Sequence, residues 1–167
     1  RIESRGLGDV YKRQPTHRMT QPWFFKIYKG KSKDVLCEII QKIDKEKYSA
    51  VKINKFIDKV KSSDTIISVC MTKDESNRVP EWEEIAAVSM AVQKMWLSCY
   101  VNDIGSYWST PALKDDYAKH SGLNSNQKSL GFFFMGSYKH LETPKVREGL
   151  DSNCLLYTSD AADDSQC

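Results

Sequence analysis

The chain has 167 residues, 25 of them basic and 22 acidic, with a formal net charge of +3. A balance this close to neutral does not call for nucleic acid as a partner. No run is apolar for long enough to cross a membrane as a helix, and no signal peptide is recognisable.

The first stretch, Ser4–Gln14 (SRGLGDVYKRQ), has no apolar period, and the last, Cys154–Asp164 (CLLYTSDAADD), ends in small and acidic residues. One codon choice for Asp9–Gln14 is GAT GTG TAT AAG AGA CAG. Its reverse complement, read one base out of frame, encodes CLLYTS, the run Cys154–Ser159. One DNA segment in opposite orientations thus accounts for both ends, a pattern that resembles the adapter sequences of sequencing libraries. Residues 1–14 and 154–167 are therefore expected to be adapter-derived and are set aside from fold reasoning. Residues 15–153 are expected to be one truncated domain whose native start is missing. What remains holds 21 basic and 17 acidic residues.

Trp23–Gly30 (WFFKIYKG) is aromatic and β-branched, so a strand is predicted. Ser32 is placed to cap a helix over 33–45, with Val35, Leu36, Ile39, Ile40 and Ile43 on one face. A second amphipathic helix is predicted over 51–61, with Ile53, Phe56, Ile57 and Val60 inward. Thr65–Thr72 (TIISVCMT) reads as a buried central strand. A polar loop, Lys73–Pro80, leads to a helix over 81–102. Its first turn carries Glu81, Glu83 and Glu84, suited to the positive end of the helix dipole. The body of that helix is apolar on nearly every face, which predicts burial on all sides and, in a domain this small, against a partner subunit. Gly105 is placed to end the helix or turn the next loop. A short helix is predicted over 111–120 and a last buried strand over 128–138. Helices and strands mix, so the class is α+β or α/β, one sheet covered by helices.

Cys37, Cys70 and Cys99 sit within apolar patterns without Cys-x-x-Cys spacing. They read as buried free thiols, which favours a reducing, cytoplasmic setting. His120 and His140 have no ligand-spaced partner, so no metal site is expected.

Two stretches could carry chemistry. Pro15–Phe25 (PTHRMTQPWFF) brings a histidine, hydroxyls and a glutamine to a strand edge, groups that suit a planar hydrogen-bonding ligand. Gly105–Leu113 (GSYWSTPAL) sets an aromatic pair and two hydroxyls before a predicted helix start, where backbone N–H groups suit an anion or an electron-rich ring edge. On residues alone, an ordinary turn with Trp23 in the core and a simple Ser109 or Thr110 helix cap are the favoured readings.

Taken in order, PTHRMTQPWFFKIYKG, then RVPEWEEIAAVSMAVQKMWLSCYVNDIGSYWSTPAL, then SLGFFFMGSYKH resemble the nitroreductase family of FMN-dependent oxidoreductases, in particular its small single-domain bacterial members. The resemblance covers nearly all of residues 15–136. It implies an α+β three-layer sandwich, a mixed sheet with helices on both faces, and an intertwined homodimer with FMN at the subunit interface. It implies NAD(P)H as hydride donor and a nitro compound, quinone or similar small molecule as acceptor. No catalytic side chain need be sought, because the cofactor carries the chemistry. Carried over by position, the cofactor-binding residues are His17 and Gln21 on one side, and Trp108, Ser109 and Thr110 on the other. Trp23 is expected to support the pocket.

Met19 stands where many relatives place an asparagine that bonds the flavin ring, and methionine is a poor hydrogen-bonding partner. The Arg-Arg-Ser-type segment that clamps the FMN phosphate in the family is not recognisable here. The chain as written is expected to bind FMN weakly or not at all. The alternative from another class is a flavin-binding or dimerisation module without turnover, such as a flavin store or sensor.

Overall fold

A computed structural model describes residues 16–44 and 46–138. Residues 1–14 and 154–167, and His140, lie outside the described residues. The elements in chain order are a 3-10 turn (His17–Met19), β1 (Trp23–Lys29), α1 (Ser32–Gln41), α2 (Ala50–Ser62), β2 (Thr65–Thr72), α3 (Glu81–Val101), β3 (Gly105–Ser109), α4 (Lys114–His120) and β4 (Gln127–Gly136). The strands form one sheet in the order β1-β2-β4-β3.

The sheet separates two apolar layers, as period-2 alternation requires. On one face Tyr28, Ile66, Phe132 and Phe134 pack with Leu36 and Ile40 of α1, with Ile53, Phe56, Ile57 and Val60 of α2, and with Tyr117 of α4. On the other, Ile67, Val69, Met71 and Phe133 pack with Val88, Val92, Met95 and Cys99 of α3. The fold is therefore three-layered and α+β. Edge-to-face rings bind the first layer: Phe132 lies 4.9 Å from both Phe56 and Tyr117 between centroids, a geometry worth about 0.5–1.5 kcal/mol per pair beyond area burial.

Four sequence expectations are corrected. Every described strand pair is antiparallel, where a mixed sheet was expected. The strands that run the same way, β1 with β4 and β2 with β3, are each held apart by an intervening strand. Residues 105–109 form an edge strand, not a turn: Trp108 pairs with Phe133 and Ser109 with Phe132. α4 begins at Lys114, so Ser109 and Thr110 do not cap it. α1 ends at Gln41, and Val35 turns outward instead of joining the buried face. Ser32 is the first residue of α1, and its hydroxyl bonds the Lys29 N–H (2.7 Å) and the Lys29 carbonyl (2.8 Å), closing the strand-to-helix turn.

Cys37, Cys70 and Cys99 are free and buried. No described helix is long and apolar enough to cross a membrane.

Candidate functional site

The first candidate stretch is a loop stapled by its own hydroxyls. Thr16 Oγ1 and Thr20 Oγ1 lie 3.1 Å apart, and the Gln21 N–H donates to Thr16 Oγ1 at 3.3 Å. Arg18, Met19 and Gln21 take positive φ (52°, 57° and 47°). Each such non-glycine residue costs of order 1–2 kcal/mol, so the surroundings must hold the conformation. The Thr72 N–H donates to the Pro22 carbonyl at 2.7 Å, which seats the loop at the end of the β1–β2 ladder. His17 reaches out of the loop to the first turn of α3, its Nδ1 2.5 Å from Glu83 Oε2. Trp23 packs against the layer beneath α3.

The second stretch is β3 and the residue after it. Successive side chains of a strand point to opposite faces. Trp108 packs with the α3 layer, whereas Tyr107 stacks on Phe134 of the other layer with centroids 5.0 Å apart. Trp108 and Ser109 therefore do not share a face. The Trp108 indole N–H is buried without a hydrogen-bond partner, and such an orphan costs about 1–3 kcal/mol. Thr110 is exposed just beyond the strand. Gly131 of β4 allows the close approach here: it has φ +116°, and a Cβ on it would lie 3.2 Å from the Thr110 Cα and nearer still to the Ser109 carbonyl oxygen.

The sheet order decides how the two stretches relate. His17 and Gln21 precede β1 at one edge, and Trp108, Ser109 and Thr110 lie at the other. Three inter-strand spacings separate the edges, about 14 Å. A single chain does not bring the two sets into contact.

The acidic start of α3 does more than complement a dipole. Glu81 pairs with Lys128 (2.6 Å), which holds its carboxyl below the ordinary range. Glu83 holds His17. Glu84 is fully buried: Oε1 accepts the Asp74 N–H at 3.0 Å and Oε2 has no partner, and burial pushes its carboxyl up. From sequence all three were read as dipole partners. The helical period says which face a residue occupies, but not which distant loop packs there.

Among the described residues, α3 is buried on one side only. Ala87, Val88, Ala91, Val92, Met95 and Cys99 face the sheet, whereas Trp82, Met90, Leu97, Tyr100 and Val101 are exposed. At 100° per residue these fall on opposite faces of the helix. Beside this apolar stripe, a groove of about 850 Å³ runs along α3 and β3, lined in part by Trp96, Leu97, Tyr100, Tyr107 and Tyr138. Among the described residues no cluster could hold a metal ion. His120 Nδ1 lies 2.8 Å from the Asp116 carbonyl oxygen.

The model of the nitroreductase family matches residues 9–137. The chain is 25% identical over 147 residues to YdjA of Escherichia coli (strain K12), which carries the name of an NAD(P)H nitroreductase; the match covers 84% of this chain and 75% of that one. A nitroreductase-like family protein from Bacillus cereus shares its fold with a TM-score of 0.79 at 20% identity, over 93% of this chain and 86% of that one. The FMN-dependent nitroreductase NfnB from Mycobacterium smegmatis, solved with NADPH, aligns with a TM-score of 0.68 at 13% identity, over 92% and 87%. With three layers built as the ordered motifs implied, and a family match spanning both candidate stretches, the chain belongs to the nitroreductase family.

Proposed function

We propose that this protein is an FMN-dependent NAD(P)H oxidoreductase that acts as a homodimer on nitro compounds, quinones or similar small acceptors. Family membership over residues 9–137 carries the proposal. FMN would supply the hydride-transfer chemistry between NAD(P)H and the acceptor, and the chain's own residues would bind and orient it.

The residues present fit such a group if two chains share it. His17, with its side chain half exposed, and Gln21 offer polar contacts at one edge of the sheet. Ser109, Thr110 and the orphaned Trp108 N–H offer them at the other. A second copy laid on the uncovered apolar face of α3 would bury Leu97, Tyr100 and Val101, and a shared site requires that it set one copy's β1 edge toward the other's β3 edge. Each large apolar side chain so buried contributes about 1.5–3 kcal/mol.

A flavin store or sensor without turnover is the second reading. Met19 favours it: the side chain at the asparagine position is exposed, has positive φ and offers only a thioether.

The test uses protein expressed from the gene resequenced through residues 1–14 and 154–167 and beyond. Its visible spectrum and released cofactor are recorded, then NAD(P)H oxidation with nitro and quinone acceptors. About one FMN per subunit with acceptor-dependent NAD(P)H oxidation is expected. A flavin-loaded dimer that never oxidises nicotinamide selects the store or sensor. A colourless protein that takes up no FMN overturns both.

A further inference from the structure

We propose that Glu83 is a positioning residue of the flavin site, and that it acts by fixing which ring nitrogen of His17 faces the ligand. The ligand in this proposal rests on the flavin reading above; the geometry does not. Glu83 and His17 are 66 residues apart in sequence and meet at 2.5 Å, Nδ1 to Oε2. A carboxylate oxygen only accepts, so Nδ1 carries the proton of this bond. Nε2 makes no hydrogen bond among the described residues and is the nitrogen left for a ligand. A binding histidine whose second nitrogen is held by a carboxylate has a defined tautomer and ring orientation.

The loop gives independent support. Three non-glycine residues within four positions of His17 have positive φ, a conformation that persists only where neighbouring structure imposes it. The hydroxyl bonds of Thr16, to the Thr20 hydroxyl and from the Gln21 backbone N–H, stay inside the loop. Among the described residues, the His17–Glu83 bond is the one that ties a side chain of this loop to another element. Glu83 sits in the first turn of α3, where a negative side chain is favoured and the backbone is rigid. The strained loop is thereby referenced to the central helix of the fold. An ordinary surface ion pair would make the same contact, but it would contribute only to stability, and weakly.

The two roles separate by experiment. The 167-residue chain, ¹⁵N-labelled at histidine, gives the tautomer of His17, assigned against His17→Ala. Wild type and Glu83→Gln, whose amide oxygen still accepts, are expected to show Nδ1–H. Glu83→Ala is expected to shift His17 toward the Nε2–H form that free neutral imidazole prefers. FMN titration of protein from the fully sequenced gene, followed by flavin fluorescence, is expected to show binding about tenfold weaker in Glu83→Ala, the lower end of what such outer partners contribute. Glu83→Gln should keep most of the affinity. In the His17→Ala background, Glu83→Ala should add nothing. An Nε2–H wild type, or an equal loss from Glu83→Ala with and without His17, overturns the proposal. If wild type binds no FMN the flavin reading falls, and the tautomer spectra alone decide whether Glu83 sets His17.

Discussion

Gly131→Ala tests the structural account at the point where core and site meet. Val69 pairs with Gly131 and Cys70 with Ser129, so Leu130 is the extra residue of a β-bulge. The bulge lets Leu130 pack with the α3 layer while Phe132 packs with the other, although their spacing of two would put them on one face of a regular strand. Gly131 makes this possible with φ +116°. An added Cβ would approach the Ser109 carbonyl oxygen more closely than 3.0 Å, a separation real Cβ atoms essentially never show, and the obstacle is backbone. The unfavourable φ costs about 1–2 kcal/mol and the forced displacement about 1–3 kcal/mol. The stiffer unfolded chain returns about 0.4–1 kcal/mol. The net loss is about 1–4.5 kcal/mol, or roughly 2–18 °C in Tm for a domain of this size. The matched control is Gly122→Ala, which also has positive φ (+70°) but no atom within 4 Å of the new Cβ, so only the conformational cost applies. Thermal unfolding by circular dichroism at one protein concentration compares the two. If Gly131→Ala costs no more than Gly122→Ala, the close approach of β4 to Ser109 is wrong. If it holds, Ser109 and Thr110 must move, and FMN affinity should fall in Gly131→Ala and not in Gly122→Ala.

Asp116 is nearly buried and accepts hydrogen bonds from Lys47 (2.5 Å), Tyr48 (2.7 Å) and Lys119 (2.8 Å), which hold its carboxyl well below the usual carboxylate range. Asp116→Asn is expected to destabilise by about 1–2 kcal/mol, because the exposed lysine heads retain water. A depressed folded pKa contributes stability that is complete above the unfolded value of about 3.9 and lost below it. Denaturant unfolding should therefore show a constant gap between wild type and Asp116→Asn from about pH 8 to 5, shrinking below about pH 4; a gap unchanged at the lowest pH refutes the assignment. Leu97→Glu places a charge in the exposed stripe of α3; sedimentation should show monomer, and a dimer as tight as wild type would refute burial of that face. Tyr28→Phe removes a buried hydroxyl 2.8 Å from that of Tyr117 and should cost about 1 kcal/mol by the same unfolding assay; no loss would mean the pair is not bonded.

Local pattern determined much of this protein. β2 spans Thr65–Thr72 as the apolar run predicts, and Ile53, Phe56, Ile57 and Val60 face inward from α2 as their period requires. Both follow from alternation or helical spacing that exists before any tertiary contact. The ordered motifs carried the family, since the glycine, proline and tryptophan positions survive as text. The sequence did not disclose that 105–109 is a strand. Glycine, serines and aromatics have no clear preference there, and only the free edge of β4 makes them pair. Nor did it show the bulge at Leu130–Gly131, because SLGFFFMG is apolar in both phases. The partner of His17 was equally hidden: no period relates a loop residue to a helix turn 66 positions away. The sequence by itself determined which residues are apolar, where helices and the central strand form, and which two stretches group polar side chains. Only the tertiary structure decided that those stretches lie on opposite edges of one sheet. Strand order is set by how the helices cover both faces, a nonlocal balance of burial that no short stretch of sequence records.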